Sequence, residues 1–153
     1  MDEIVVRGMA KWPNVPAVYG WLSLDRRGNW LIKGERIANH ALRDFIARNY
    51  DADAEGRWYF QNGPQRVYVS LAYVPLVVHF DGESLLDHCG RPFVVARRYL
   101  DDEGSVLVEG GGRVALVDDR DLARYADDPG ALEPIRRDEV QARFRFVREP
   151  APG

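Results

Sequence analysis

Val18-Tyr-Gly-Trp-Leu-Ser-Leu24, Asp25-Arg-Arg-Gly28, Asn29-Trp-Leu-Ile-Lys33 is the stretch whose reading sets the fold. Its flanks are aromatic and branched, which suits a pleated, half-buried surface. The break between them has Asp first and Gly last, as a type I turn prefers. The segment reads as a β-hairpin. Upstream, Trp12-Pro13-Asn14-Val15-Pro16 is too rich in proline for a central strand and reads as an extended lead-in. Downstream, Asn39 is a good N-cap for His40 to Asn49, where Ala41, Leu42, Phe45 and Ile46 share one face while Arg43, Asp44 and Arg48 lie elsewhere. A hairpin therefore feeds an amphipathic helix, which Asp51-Ala-Asp-Ala-Glu-Gly56 ends.

Residues 58–73 read as a second hairpin, with Asn62-Gly63 supplying positive-φ turn positions and Pro64 implying a loop longer than two residues. Pro75 interrupts the run before Leu76-Val-Val-His-Phe80 and places an edge position or bulge there. Further on, Phe93 to Leu100, Val106 to Glu109 and Arg113 to Val117 read as strands separated by Asp101-Asp-Glu-Gly104 and Gly110-Gly-Gly112. Arg120 to Ala126 reads as a short helix. Gln141-Ala-Arg-Phe-Arg-Phe-Val147 alternates with period two and predicts a terminal strand with Phe144 and Phe146 facing the core. The class is α+β: a mostly antiparallel sheet built from β-hairpins, with two short helices.

The hairpin-and-helix theme recurs. Leu24, Asp25, Gly28, Leu31 and Gly34 return as Leu100, Asp101, Gly104, Leu107 and Gly110 at a constant spacing. After one inserted glycine, Arg36, Ala38, Arg43 and Asp44 return as Arg113, Ala115, Arg120 and Asp121. Residues 18–50 and 94–126 are the candidate copies. Two explanations stand: duplication of a ββα unit, giving pseudo-duplicated halves, or the shared need of any such hairpin for a D-x-x-G turn and a glycine exit.

Composition bounds the rest. The 153 residues suffice for a single compact domain over 1–153 without disulfides or metals, with 148–153 as a flexible tail. A 46% apolar and 29% charged chain is an ordinary globular one. Cys89 is the sole cysteine, no run reaches the ~18 apolar residues of a bilayer span, and Asp2 and Glu3 replace the basic start of a signal peptide, so the expectation is a cytoplasmic protein. Net charge is −3, with ten basic and eight acidic residues in 1–75 but eleven and sixteen in 76–153. That is too little positive field for the usual nucleic-acid binder. Exposed hairpin edges invite pairing between copies, so a homodimer through sheet edges is one expectation.

Few residues suggest chemistry. His40, His79 and His88 have no C-x-x-C or H-x-x-x-H partner spacing, so neither a metal nor a cofactor is expected. Asp87-His88-Cys89-Gly90-Arg91 is the least implausible catalytic centre, with Cys89 as nucleophile and a histidine as base, and His88, Cys89 and Arg91 carry that alternative. The stronger suggestion is aromatic: Trp12, Trp21, Trp30 and Trp58 all fall in the first 58 residues. Tyr19 and Trp21 should share a hairpin face with Trp30 across from them, and Arg57 and Arg66 stand near in sequence. The loop tip adds Gln61, Asn62 and Gln65. Trp21, Trp30, Trp58, Gln61, Asn62, Gln65 and Arg66 are thus the candidate ligand-binding set, a stacking platform for a base, a sugar or a peptide, unless the rings simply fill the core.

The runs Trp12-Pro-Asn-Val-Pro16, Tyr19-Gly-Trp-Leu22, Phe45-Ile-Ala-Arg-Asn-Tyr50 and Phe60-Gln-Asn-Gly-Pro-Gln-Arg-Val67 resemble a family of small bacterial proteins of unknown function. The resemblance spans roughly residues 10–75. It implies a bacterial source and a compact domain, and it transfers no activity, cofactor or catalytic residue. The functional expectation is a soluble, non-enzymatic binding or accessory protein that uses its aromatic N-terminal half.

Overall fold

The structure, a computed structural model, describes residues 13–125 and 131–152. Trp12 and the expected helix end at Ala126 lie outside the described residues. The architecture is α+β, with two mixed, mostly antiparallel six-stranded sheets, and the chain divides into two compact units. One comprises residues 1–25, 29–72 and 147–153; the other comprises 26–28 and 73–146.

The N-terminal unit runs β1 (Ala17–Leu24), β2 (Trp30–Ile32), β3 (Glu35–Arg36), helix α1 (His40–Arg48), β4 (Tyr50–Ala52), β5 (Trp58–Asn62) and β6 (Gln65–Leu71). The sheet order is β3-β2-β1-β6-β5-β4; only β1 and β6 are parallel. Asn39 caps α1 as expected, its Oδ1 accepting the Leu42 N–H at 2.9 Å. The helix buries Leu42, Ile46 and Ala47. Strand alternation sends Val18, Leu22 and Leu24 of β1 and Val67, Val69 and Leu71 of β6 inward. Trp30, Tyr50 and Trp58 complete this core, with ring centroids 4.9 and 4.8 Å apart. Trp30 pairs with Leu24 and takes its inward direction, so it does not share a face with Tyr19 and Trp21. Residues 147–150, expected to belong largely to a tail, are tied to this unit. Leu71 N–H donates to Arg148 O, the Arg148 guanidinium donates to Ala72 O, and Pro150 is buried.

The C-terminal unit contains β7 (Leu76–Asp81), β8 (Ser84–Asp87), β9 (Arg97–Leu100), β10 (Val106–Gly110), β11 (Arg113–Val117), a 3-10 helix (Asp119–Tyr125), β12 (Glu133–Pro134) and helix α2 (Arg137–Phe144). Its sheet order is β12-β9-β10-β11-β7-β8, with β11 parallel to β7 and β12 parallel to β9. Leu107, Val108 and Ala115 are fully buried in it.

Three local expectations are corrected. The segment 141–147 is not a strand: Glu139 accepts the Arg136 N–H at 2.7 Å at a helix start, and α2 follows, burying Val140 and setting Phe144 edge-on to Tyr99. Phe146 is nonetheless buried. The loop at Gly63-Pro64 has only two residues, because Asn62 pairs with Gln65. Gly63 has φ 55° and the proline ring fixes the next φ negative, the signs of a type II′ turn. Pro75 marks no edge or bulge. It precedes β7, which is hydrogen-bonded on both sides.

Among the described residues one turn design recurs four times, at Asp25, Asp53, Asp87 and Asp101. In each, the Asp N–H donates to the carbonyl four residues on, and its Oδ1 accepts the N–H of that same residue. The glycine third after the Asp lies at φ 83°, 81°, 84° and 86° respectively. This is a type I turn closed by a glycine bulge, with the carboxylate holding an amide that would otherwise lack a partner.

Candidate recognition surface

The face of the N-terminal sheet opposite its core carries the half-buried Tyr19 and Trp21 from β1, Arg66 from β6, and Arg57 and Tyr59 flanking the start of β5, packed around Tyr68 of β6, which is only 5% exposed. β1 keeps both aromatics outward by a bulge: Val18 pairs with Val67 and Leu22 with Val69, four residues against two, and Gly20 takes φ 75°. Tyr19 and Tyr68 stack at 4.8 Å with rings 7° apart. Tyr59, directly across from Tyr68, meets it edge-on at 6.0 Å. The Arg66 guanidinium lies 4.2 Å from the Tyr59 ring centroid, Arg57 lies 5.0 Å from that of Tyr68, and Lys33 Nζ lies 4.1 Å from that of Trp21. Arg66 also hydrogen-bonds Tyr68, which raises its pKa. Arg57 is neutralised locally by Asp53 at 2.8 Å, with Glu55 at 3.4 Å. Asp53 resists the burial that would raise its pKa. The Arg57 N–H and guanidinium hold it below the ordinary aspartate value.

Of the seven candidate residues, the structure brings Trp21 and Arg66 to this face and buries Trp30 and Trp58 beneath it. The loop-tip amides are engaged locally. Gln61 Nε2 donates to Gly63 O at 2.6 Å, Asn62 Nδ2 to Gln65 Oε1 at 3.0 Å, and Gln65 Nε2 to the carbonyls of Pro13 and Val15 at 2.7 Å each. They shape the tip and pin the lead-in. The sequence reading missed Tyr59, Tyr68 and Lys33. Counting back from a two-residue loop at 63–64 puts Tyr59 opposite Tyr68, so the longer loop hid the pair.

In the C-terminal unit, His88, Cys89 and Arg91 occupy the turn closed by Asp87, whose Oδ1 accepts the N–H groups of Cys89 and Arg91. His88 Nδ1 accepts the Val77 N–H at 3.2 Å, so that nitrogen serves the backbone. Burial, reinforced by the Asp87 carboxylate, pushes the Cys89 thiol up to about 12. Its thiolate fraction at neutral pH is then roughly one part in a hundred thousand, which disarms it as a nucleophile. A polar cleft of about 400 Å³ nearby is lined by His79, His88, Arg27, Arg120, Asp118 and Asp121 among others. Its arginines are already clamped: Arg27 on Asp119 with two 3.0 Å bonds, and Arg120 on Asp118. Among the described residues no group of three or more His, Cys, Asp or Glu is placed to hold a metal ion.

Residues 1–151 match the DUF2944 family, described as "Protein of unknown function (DUF2946)". The chain belongs to that family. None of the curated proteins matches it. Two solved structures resemble its fold. One, a DUF1285 family protein from Silicibacter pomeroyi DSS-3, has TM-score 0.56 and 18% identity, over 80% of this chain and 82% of that one. The other, a DUF1285 family protein from Shewanella baltica OS155, has TM-score 0.51 and 12% identity, over 70% of this chain and 91% of that one. At such identities the likeness is one of fold, and no activity comes with it.

Proposed function

We propose that this protein is a non-enzymatic binding or accessory protein whose recognition surface is the outer face of the N-terminal sheet. The observation that carries the reading is the pair of half-buried rings Tyr19 and Tyr59, packed on either side of the buried Tyr68 with Arg66 and Arg57 against them. Tyrosine, tryptophan and arginine are the residues that concentrate at protein-binding hot spots, because they offer large rigid contact area with polar tips. The thiol state of Cys89 and the structural duty of His88 weigh against the catalytic alternative. The lone cysteine supports a reducing compartment, the cytoplasm, and the organisms of the two similar structures support a bacterial source. No described helix is long and apolar enough to cross a membrane.

A thermal-shift screen of peptides, nucleotides and saccharides tests the reading on wild type, Trp21→Ala and Tyr59→Ala. Trp30→Ala is unsuitable, since emptying a core tryptophan costs about 3–5 kcal/mol by itself. The expected result is a stabilising ligand whose shift is at least halved in Tyr59→Ala. A ligand whose shift survives both outer-face variants and falls only when His79 or Arg120 is replaced would move the function to the C-terminal cleft.

A further inference from the structure

We infer that the partner of the outer face is an acidic, tyrosine-tolerant segment of another protein, bound weakly and reversibly. This rests on the recognition surface proposed above and names its occupant.

Charge is the first argument. Lys33 and Arg66 form no ion pair with any described residue, and each is held over an aromatic ring rather than by a carboxylate. Arg36, opposite Leu31 in the register, is exposed on β3 at the edge of the same sheet. Asp51, opposite Tyr59, is an acid on the same face, and Arg57 is more than offset by Asp53 and Glu55. Four cations (Lys33, Arg36, Arg57 and Arg66) thus stand against three carboxylates, an excess of one, with Lys33 and Arg66 the cations that no carboxylate holds. The remaining excess is cationic. A guanidinium positioned by stacking keeps N–H edges for a carboxylate, and an arriving acid gives it the ion pair it lacks.

Shape is the second. The face is the broad side of a sheet; two clefts among the described residues, one lined by His79 and one by Ile135, belong to the other unit. Small ligands need enclosure, whereas flat surfaces suit macromolecules. Strands of seven or eight residues spaced 4.8 Å apart, with shorter strands at either side, offer about 500 Å². That is below the ~800 Å² per partner of a standard stable interface, and it points to a transient one.

The third argument separates protein from nucleic acid. The N-terminal unit carries nine basic and nine acidic residues, so it has no long-range positive field. Nucleic-acid binding draws on many phosphate contacts at once, and four cations among three carboxylates supply too few. An acidic peptide needs only local pairing, with its own aromatic or aliphatic side chains resting on the tyrosines.

Amide NMR of the full chain, titrated with defined probes, tests this. The probes are a random glutamate–tyrosine copolymer, a lysine–tyrosine copolymer and polyuridylic acid. The expected result is that the glutamate copolymer shifts amides of β1, β5 and β6, binds more weakly as salt rises, and loses about tenfold in affinity in Arg66→Glu. The Arg66→Glu amide spectrum away from β5 and β6 should be unchanged, showing that the fold survives. The inference is overturned if the glutamate copolymer leaves these amides unmoved, binds Arg66→Glu equally well, or binds no better than the lysine copolymer. Preferential shifts by polyuridylic acid at the same amides would overturn the acidic partner and keep the face as the recognition surface. If no probe moves them and the ligand screen also leaves the outer face silent, the recognition surface itself falls.

Discussion

Gly34 and Gly110 occupy matched positions in the sequence recurrence, and they are glycines for different reasons. Gly34 closes the β2–β3 turn at φ 83°, and a Cβ there would meet nothing within 4 Å. Gly110 lies within β10, and a Cβ there would sit 1.8 Å from the Val94 carbonyl oxygen. Gly34→Ala should therefore cost about 1–2 kcal/mol, the left-handed penalty alone. Gly110→Ala must move backbone, and should cost more than about 3 kcal/mol. Urea unfolding of the two variants checks this; equal midpoints would remove the close approach as the reason for Gly110. Trp21 and Trp30 make a similar contrast. They sit close in sequence on paired strands of one hairpin, and the β1–β2 register puts one beneath Lys33 and the other in the core.

Among the elements, the D-x-x-G turn was legible from its residues alone, since Asp and Gly are demanded by local backbone geometry. Its four occurrences among the described residues include two, at Asp53 and Asp87, outside the candidate repeat. Past the turn the matched residues change roles. Leu31 pairs with Arg36 while Leu107 pairs with Leu116, and Asp44 pairs with Arg48 on α1 while Asp121 accepts the Phe80 N–H. Turn chemistry accounts for Asp25, Gly28, Asp101 and Gly104, whereas Gly110 answers to its close approach to Val94. The Asp101 turn does more than its fellows, because Oδ2 also accepts the buried Tyr73 hydroxyl at 2.9 Å, and burial together with this bond raises the Tyr73 pKa. Asp101→Ala strips a buried hydroxyl as well as two turn amides, so it should destabilise by about 2–4 kcal/mol. The control Asp101→Asn should recover part of that loss in a denaturant titration. If Ala and Asn variants unfold together, the carboxylate bonds are not what holds the turn. Helix α2 was missed because Arg-Phe-Arg-Phe alternates like a strand. Glu139 at the third helical position, whose carboxylate reaches back to the Arg136 N–H, followed by the Val140 and Phe144 spacing, was the competing signal.

At the scale of the whole molecule, both units carry aspartates held below their ordinary pKa. Asp118 is buried, which alone would raise it, but the Arg120 guanidinium and N–H hold it at about 2. Asp53 in the N-terminal unit is shifted the same way. A carboxylate with a depressed folded pKa binds fewer protons folded than unfolded, so its stabilisation is present above the unfolded value of about 4 and is lost as pH falls towards 2. Asp118 should contribute on the order of 1–2 kcal/mol, reduced by solvent at the exposed Arg120. Trp21, Trp30 and Trp58, the tryptophans among the described residues, belong to the N-terminal unit, so their fluorescence follows that unit while far-UV circular dichroism follows both. Urea midpoints by both probes should fall between pH 5 and 3, and Asp118→Asn should flatten part of the circular-dichroism response. A midpoint indifferent to pH in this window would refute the assignment.

The hairpin from Val18 to Lys33, the Asn39-capped helix and the α+β class were determined by the sequence itself, because turn geometry, capping and amphipathic spacing act within a few residues. What joins β1 to β6 in parallel, divides the chain after Ala72, and sets Tyr19 against Tyr68 was decided only by the tertiary structure. Those outcomes depend on which distant strands bury their apolar faces together. The free energy of that choice lies in long-range packing, and no local pattern of residues encodes it.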